Sequence, residues 1–175
     1  AAHPGVDVRI TTSYELVNLE RDAVDVAIRY RPIDVALPAG SMTLFGETVF
    51  PVCSPRFNDG HLPGSLAELA AARLLFTPLQ PWDAWFRALG VTAAPAQRGM
   101  TFSETDLLLR AAIDGLGIAM GIRPYIDDDL AAGRLVAPFD LSVPKGMRWY
   151  LVYRSFQTEQ RDFVNTIRSS AEALL

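Results

Sequence analysis

The run FSETDLLLRAAIDGLGIAMGI, residues 102–122, constrains the chain more than any other stretch, because its apolar pattern changes period twice without a linker. QRGMTF (97–102) reads as a strand leading into it. Ser103 then stands where a helix begins, and Asp106, three residues on, completes a capping box. Gly115 stops that helix, and GIAMGI resumes as a buried strand. A strand, a helix and a second strand joined this tightly make the unit from which parallel α/β sheets are built. The hydroxyls of Ser103 and Thr105 have two readings at such a junction: a plain helix cap, or part of a site for a small polar ligand.

The same alternation recurs along the chain. Val6, Val8 and Ile10 alternate with Asp7 and Arg9 as a strand that follows a turn at His3-Pro4-Gly5. SYELVNLERDA places Leu16 and Leu19 at helical spacing behind a Ser13 cap, and DVAIRY (25–30) is a second strand. RPIDVALPAGS is punctuated as a loop, and TVFPVCSP (48–55) is extended and closed by proline. Ser65 and Glu68 form a capping box before LAELAAA, LLF (74–76) is a strand, and PWDAWFRALG (81–90) is a helix with Gly90 past its end. Pro124 opens a short helix, LVAPF (135–139) is extended, and Pro144-Lys145-Gly146 is a turn before the strand MRWYLVYR (147–154). Thr158 and Glu159 open a last helix with an apolar stripe of Phe163, Ile167, Ala171 and Leu174.

Composition narrows the chemistry. The chain has 175 residues, half of them hydrophobic, enough for one core or for two lobes that share one. Its formal net charge of -4, without a basic run, gives no footprint for tracking nucleic acid. Two histidines, His3 and His61, and a single cysteine, Cys53, leave no Ser-His-Asp or Cys-His constellation and no soft metal ligand set. Asp127-Asp128-Asp129 reads as a solvated helix face, and Cys53 as a small buried residue. GLGIAMG follows a helix and precedes a strand, the reverse of the order that a dinucleotide loop needs. No enzyme, metal or cofactor is expected. No apolar run reaches the roughly 18 residues that span a bilayer, and AAHPGVDVRI is not built like a signal peptide, so a soluble cytoplasmic protein is the expectation.

What remains is a set of side chains at element ends. Thr11, Thr12 and Ser13 follow the first strand, and Ser103 and Thr105 hold the equivalent place later. In α/β sheets ligands bind outside the carboxyl ends of strands, where helix N-termini present free amides. Trp82 and Trp85 read as core or interface, with ligand stacking as the other option; Trp149 and Tyr150 should point to opposite faces of their strand.

In order and spacing, HPGVDVRI, ERDAVDVAIRY, ETVFPVCSP, PWDAWFRALG and FSETDLLLRAAIDGLGIAMG resemble the effector-binding domain of the bacterial LysR-type transcriptional regulators, in the branch of the glycine-cleavage activator and the β-lactamase regulator. The resemblance covers nearly the whole chain. It implies a periplasmic-binding-protein-like fold, type 2: two Rossmann-like lobes joined by crossing strands, with residues 1–50 and 147–175 in lobe I and 51–146 in lobe II. It further implies a small, anionic effector bound in the cleft, with contacts from Thr11, Thr12, Arg29 or Tyr30, Phe102, Ser103, Glu104, Thr105 and Trp149. A homodimer or homotetramer is implied, with DNA contacted only through an N-terminal winged helix-turn-helix that this chain does not contain. By the same resemblance the first strand and most of the first helix of lobe I are missing from the chain, which leaves either an omitted segment or an empty slot in a sheet. The loop RPIDVALPAGSM departs from the glycine-rich, tryptophan-containing turn usual in this branch. A stand-alone solute-binding protein of a transport system is the alternative with the same fold. An enzyme of the porphobilinogen-deaminase type also shares part of the architecture, but its attachment cysteine and arginine-rich cleft are not evident.

Overall fold

The computed structural model describes residues 3, 5–13, 15–91, 99–154 and 158–173. Its elements are β1 (Val26–Pro32), β2 (Met42–Val52), α1 (Leu66–Ala71), α2 (Trp82–Ala88), α3 (Thr105–Ile113), β3 (Ala119–Arg123), α4 (Asp127–Ala131), β4 (Val143–Tyr153) and α5 (Thr158–Glu172). The four strands form one sheet in the order β1-β4-β2-β3. Contacts divide the chain into two compact units, Ala1–Gly46 with Gly146–Leu175 and Glu47–Lys145, so both long strands, β2 and β4, contain a unit boundary.

In the first unit β1 pairs antiparallel with β4 from Val26↔Tyr153 to Pro32↔Met147. The face carrying Leu44 and Leu151 meets Val164 and Ala171 of α5, and Val26, Met42, Phe45, Trp149 and Ile167 close around them. That small core is where the apolar stripe of the last helix is spent. Phe163 and Ile167 are half-buried and Ala171 is buried, while Leu174 and the side chains of Thr158 and Glu159 lie outside the described residues. His3 rests on the same helix, its Nε2 2.7 Å from Thr166 Oγ1 and its ring edge-on to Phe163.

The second unit holds most of the buried apolar residues. Here β2 and β3 pair antiparallel from Thr48↔Arg123 to Val52↔Ala119, and the set is widened by parallel bridges Leu74↔Ile118 and Phe76↔Thr101. One side is filled by Trp82, Trp85 and Phe86 of α2 with Leu69, Leu74 and Met120; the other by Leu108, Leu109, Ala111 and Ala112 of α3 with Phe50, Val52 and Ile126. Helix ends follow local chemistry. Ser65 Oγ accepts from the Glu68 amide at 3.2 Å, and Glu68 reaches back to Gly64 N at 2.8 Å, one residue before the cap that the box motif names. Gly90 (φ +76°) follows α2, and Gly115 (φ +80°) ends α3 with its amide on the Ala112 carbonyl. Cys53 is fully buried.

Several sequence expectations are corrected. Residues 6–10 form no strand: Val8 and Ile10 are 56% and 84% exposed, and no strand partner lies beside them among the described residues. Period two marks a capacity for pairing, and the partner decides whether it is used. Among residues 13–23 the described ones form no helix, and 19–23 form turns. Ser13 Oγ takes the Glu15 amide and Asn18 Oδ1 takes those of Glu20 and Arg21, so short side chains occupy donors that a helix would use. β2 starts at Met42, ahead of the expected Thr48. Pro144-Lys145-Gly146 lies inside β4, with Gly146 at φ +71°, because sheet pairing overrides local turn preference. The LLF and GMTF segments are single parallel bridges, and Gln97 and Arg98 of the expected strand lie outside the described residues.

Two measurements check this core. An ideal Cβ on Gly121 would stand 2.6 Å from Ile126 Cδ1 and 2.9 Å from both Val52 methyls, so Gly121→Ala should destabilise by about 1–3 kcal/mol, read as a lower urea midpoint with unchanged m. Burial raises the Cys53 thiol pKa from 9.0 to about 11. Raised means the folded state keeps the proton longer: the contribution to stability is intact below pH 9 and is lost as pH climbs to about 11. A thiol reagent at pH 9.5 should therefore label urea-unfolded chain at least tenfold faster than native chain; equal rates would refute this burial.

Candidate functional site

In the first unit, five expected contact residues fall into three settings. Thr11 and Thr12 are exposed on a segment without regular structure. Tyr30 of β1 faces Trp149 of β4 in register, and their rings stand 4.8 Å apart. Arg29 is the neighbour of Tyr30 and so emerges on the opposite face, where it is in register with Tyr150. The sequence reading left Arg29 and Tyr30 as alternatives, and the strand separates them: tyrosine goes with tryptophan, arginine with the buried Tyr150. Arg29 Nη2 donates to the Val17 carbonyl, so this guanidinium also ties the segment around Val17 to β1. With five N–H donors, one backbone bond leaves it able to take a carboxylate as well.

In the second unit, Phe102, Ser103, Glu104 and Thr105 run consecutively into α3. Phe102 is half-buried against the α3 core, and its amide donates to the Phe76 carbonyl at 2.8 Å. That bond fixes where the next residues emerge. Ser103 and Glu104 are exposed, and α3 begins at Thr105. The expected Ser103 cap is corrected, because the first helical bond runs from Leu108 N to the Glu104 carbonyl, which makes Glu104 the cap residue. Its side chain makes no capping bond, so no side chain at the cap position closes the first turn.

Beside this helix start lie groups that the sequence reading missed. Glu47 is 4% exposed and is paired with Lys145 at 3.1 Å, one residue on β2 and the other on β4. Burial, followed by the carboxylates of Glu47 and Asp106, pushes the Tyr125 phenol up to about 12. Asp106, Tyr125, Glu47 and Lys145 therefore share one electrostatic neighbourhood. Little in the sequence signalled Glu47, because it stands before the strand expected from Thr48 and interrupts the apolar pattern of β2.

Other chemistry is weak. Among the described residues no group of three or more histidine, cysteine or carboxylate side chains could hold a metal ion. Asp127 and Asp129 are taken up by Arg123 and Arg134 at 3.2 and 2.5 Å, in keeping with a solvated face. No helix among the described residues is long and apolar enough to cross a membrane.

Comparison with known proteins places this arrangement. Residues 1–172 match the family model described as the LysR substrate binding domain. The chain is 34% identical over 162 residues to the glycine cleavage system transcriptional activator of Escherichia coli K12, covering 91% of this chain and 52% of that protein. It thus spans about half the length of the curated relatives it matches. The effector domain of the transcriptional regulator AmpR of Pseudomonas aeruginosa superposes with a TM-score of 0.74 at 26% identity, over 98% of this chain and 84% of that one. The AmpR effector binding domain from Citrobacter freundii, at 22% identity, shares the fold with a TM-score of 0.73, over 98% and 86%. These relatives are transcriptional regulators, not enzymes, and none supports the transport alternative. With its two α/β units and long shared strands, the chain belongs to the LysR substrate-binding domain family and has its periplasmic-binding-protein-like fold.

Proposed function

We propose that this chain is the effector-sensing part of a cytoplasmic LysR-type transcription regulator, whose remaining length carries the DNA-binding elements and whose active form is a homodimer or homotetramer. It binds a small metabolite without covalent chemistry. The contacts come from Thr11, Thr12, Arg29 or Tyr30, and Trp149 of the first unit, and from Phe102, Ser103, Glu104 and Thr105 of the second. Binding shifts the regulator between conformations only by the ligand's differential affinity for them.

The observation that carries this reading, beyond family membership, is the start of α3. A nine-residue helix whose cap side chain makes no bond presents amide donors and a positive dipole end, which suit a carboxylate. Glu104 and Asp106 crowd that helix start with negative charge, however, so a ligand carrying only carboxylates is disfavoured there. An amino acid meets both demands: its carboxylate on the amides, its ammonium beside Glu104.

A thermal-shift panel of amino acids, dicarboxylates and small cell-wall fragments tests this. An effector at a hundred times its dissociation constant should add about 2.7 kcal/mol of stability, with amino acids ahead of dicarboxylates. Because Ser103 is exposed and is not the cap, Ser103→Ala should change stability by less than about 0.5 kcal/mol while weakening binding several-fold, as should Thr12→Val. A well-folded chain that no compound shifts would replace the sensor with a ligand-independent oligomerisation module.

A further inference from the structure

In the first unit, β1 and β4 place three arginines on one face of their sheet. Arg29 and Arg31 flank Tyr30, so both emerge on the face opposite Tyr30 and Trp149, and Arg148 stands directly across from Arg31 in register. The guanidiniums of Arg31 and Arg148 then converge. Arg31 Nη1 donates to the Ala36 carbonyl at 2.6 Å and Arg148 Nη2 to the Val35 carbonyl at 2.5 Å, adjacent acceptors in the loop that follows β1. The Arg31 guanidinium also lies 5.7 Å from the ring centre of buried Tyr150, the residue in register with Arg29. Among the described residues these charges have no anionic partner: no ion pair involves Arg29, Arg31 or Arg148. Asp25, at the end of the same face, is held by Arg154, and Asp34, in the loop itself, pairs with neither arginine. Like charges directly opposite on paired strands repel, and a guanidinium cannot shed its proton to relieve this. A backbone carbonyl uses one N–H of the five and neutralises nothing. In a chain whose net charge is -4, such a concentration of unpaired positive charge marks a place for an anion.

We propose that this face of the first unit is a phosphate site, in which Arg31 and Arg148 grip free phosphate or the phosphate group of a small metabolite and Arg29 adds charge beside them. A phosphate gathers its charge and its acceptor oxygens around one centre, so two guanidinium forks can engage it together. A dicarboxylate holds its charges apart on carbon and meets such a converging pair less well. Charges gathered at one place, rather than along a stripe, suit one compact anion. The site does not rest on the effector reading, in which Tyr30 and Trp149 belong to the opposite face.

The test follows the arginine Nε–H resonances of the ¹⁵N-labelled chain during titration with inorganic phosphate and with glycerol phosphate at fixed ionic strength, with succinate and chloride for comparison. The Arg31 and Arg148 resonances should move saturably with the phosphate probes in the millimolar range or below. Chloride should leave them still, and succinate should bind more weakly. Tighter binding of glycerol phosphate than of phosphate would support an ester as the source, and the reverse order would support the free ion. Arg31→Gln and Arg148→Gln should each weaken phosphate about tenfold, read from the remaining arginine, while Arg168→Gln on α5 should leave affinity unchanged. If the glutamine variants do not fold, Arg148→Lys, which keeps the charge and loses the fork, should weaken phosphate about threefold. No saturable movement with either phosphate probe would overturn the proposal. So would succinate binding as tightly as phosphate, or affinity unchanged in the Arg31 and Arg148 variants.

Discussion

The buried ion pair between Glu47 and Lys145 is the contact on which the second unit's entry strands depend. A carboxylate with 2% of its side chain exposed is tolerable only beside a cation, and the cation comes from the other long strand. Truncating either residue would leave an uncompensated charge in a low-dielectric setting, which costs far more than the intact pair contributes. The pair therefore fixes which residue of β2 and which of β4 arrive together at the second unit. Glycines adjoin both, Gly46 before Glu47 and Gly146 after Lys145, and Gly146 adopts a positive φ of 71° that residues with a side chain rarely accept. The unit boundary falls at these positions on both strands.

Elements whose burial is decided locally were legible in the sequence. Trp82, Trp85 and Phe86 occupy one helix face, Gly115 stops α3, and VAIRY becomes β1, because apolar spacing there coincides with what the fold buries. Elements that depend on distant partners were not. Val6, Val8 and Ile10 have a strand's alternation but nothing beside them, and in residues 13–23 Ser13 and Asn18 divert the amides that Leu16 and Leu19 suggest for a helix. The first half of β2 was hidden by Thr43, Gly46 and Glu47, which break the apolar alternation for reasons that only the neighbouring strand explains.

Among the candidate contact residues, the structure separates two and changes the helix role of a third. Register with β4 assigns Tyr30 to Trp149 and Arg29 to Tyr150, a distinction that one strand read alone cannot make. The hydroxyl of Ser103 sits at the right junction, yet the capping motif misassigned its function by one residue. A box motif specifies which atoms could meet, whereas the cap is set by which carbonyl takes the first helical bond. That shift leaves Ser103 outside the cap of α3, and the side chain of Glu104, which holds the cap position, makes no capping bond.

The three tryptophans show how little residue type alone decides. Trp149 stacks near Tyr30 and Phe45 on the sheet of the first unit, and Trp82 spends both ring and N–H on the core. Trp85 has the same helix, the same burial and the same aromatic neighbours as Trp82, yet its N–H has nowhere to go among the described residues. The difference arises from the turn of helix between them, which aims the Trp82 indole N–H at the Leu75 carbonyl and packs the Trp85 indole edge-on against Trp82 and Phe86.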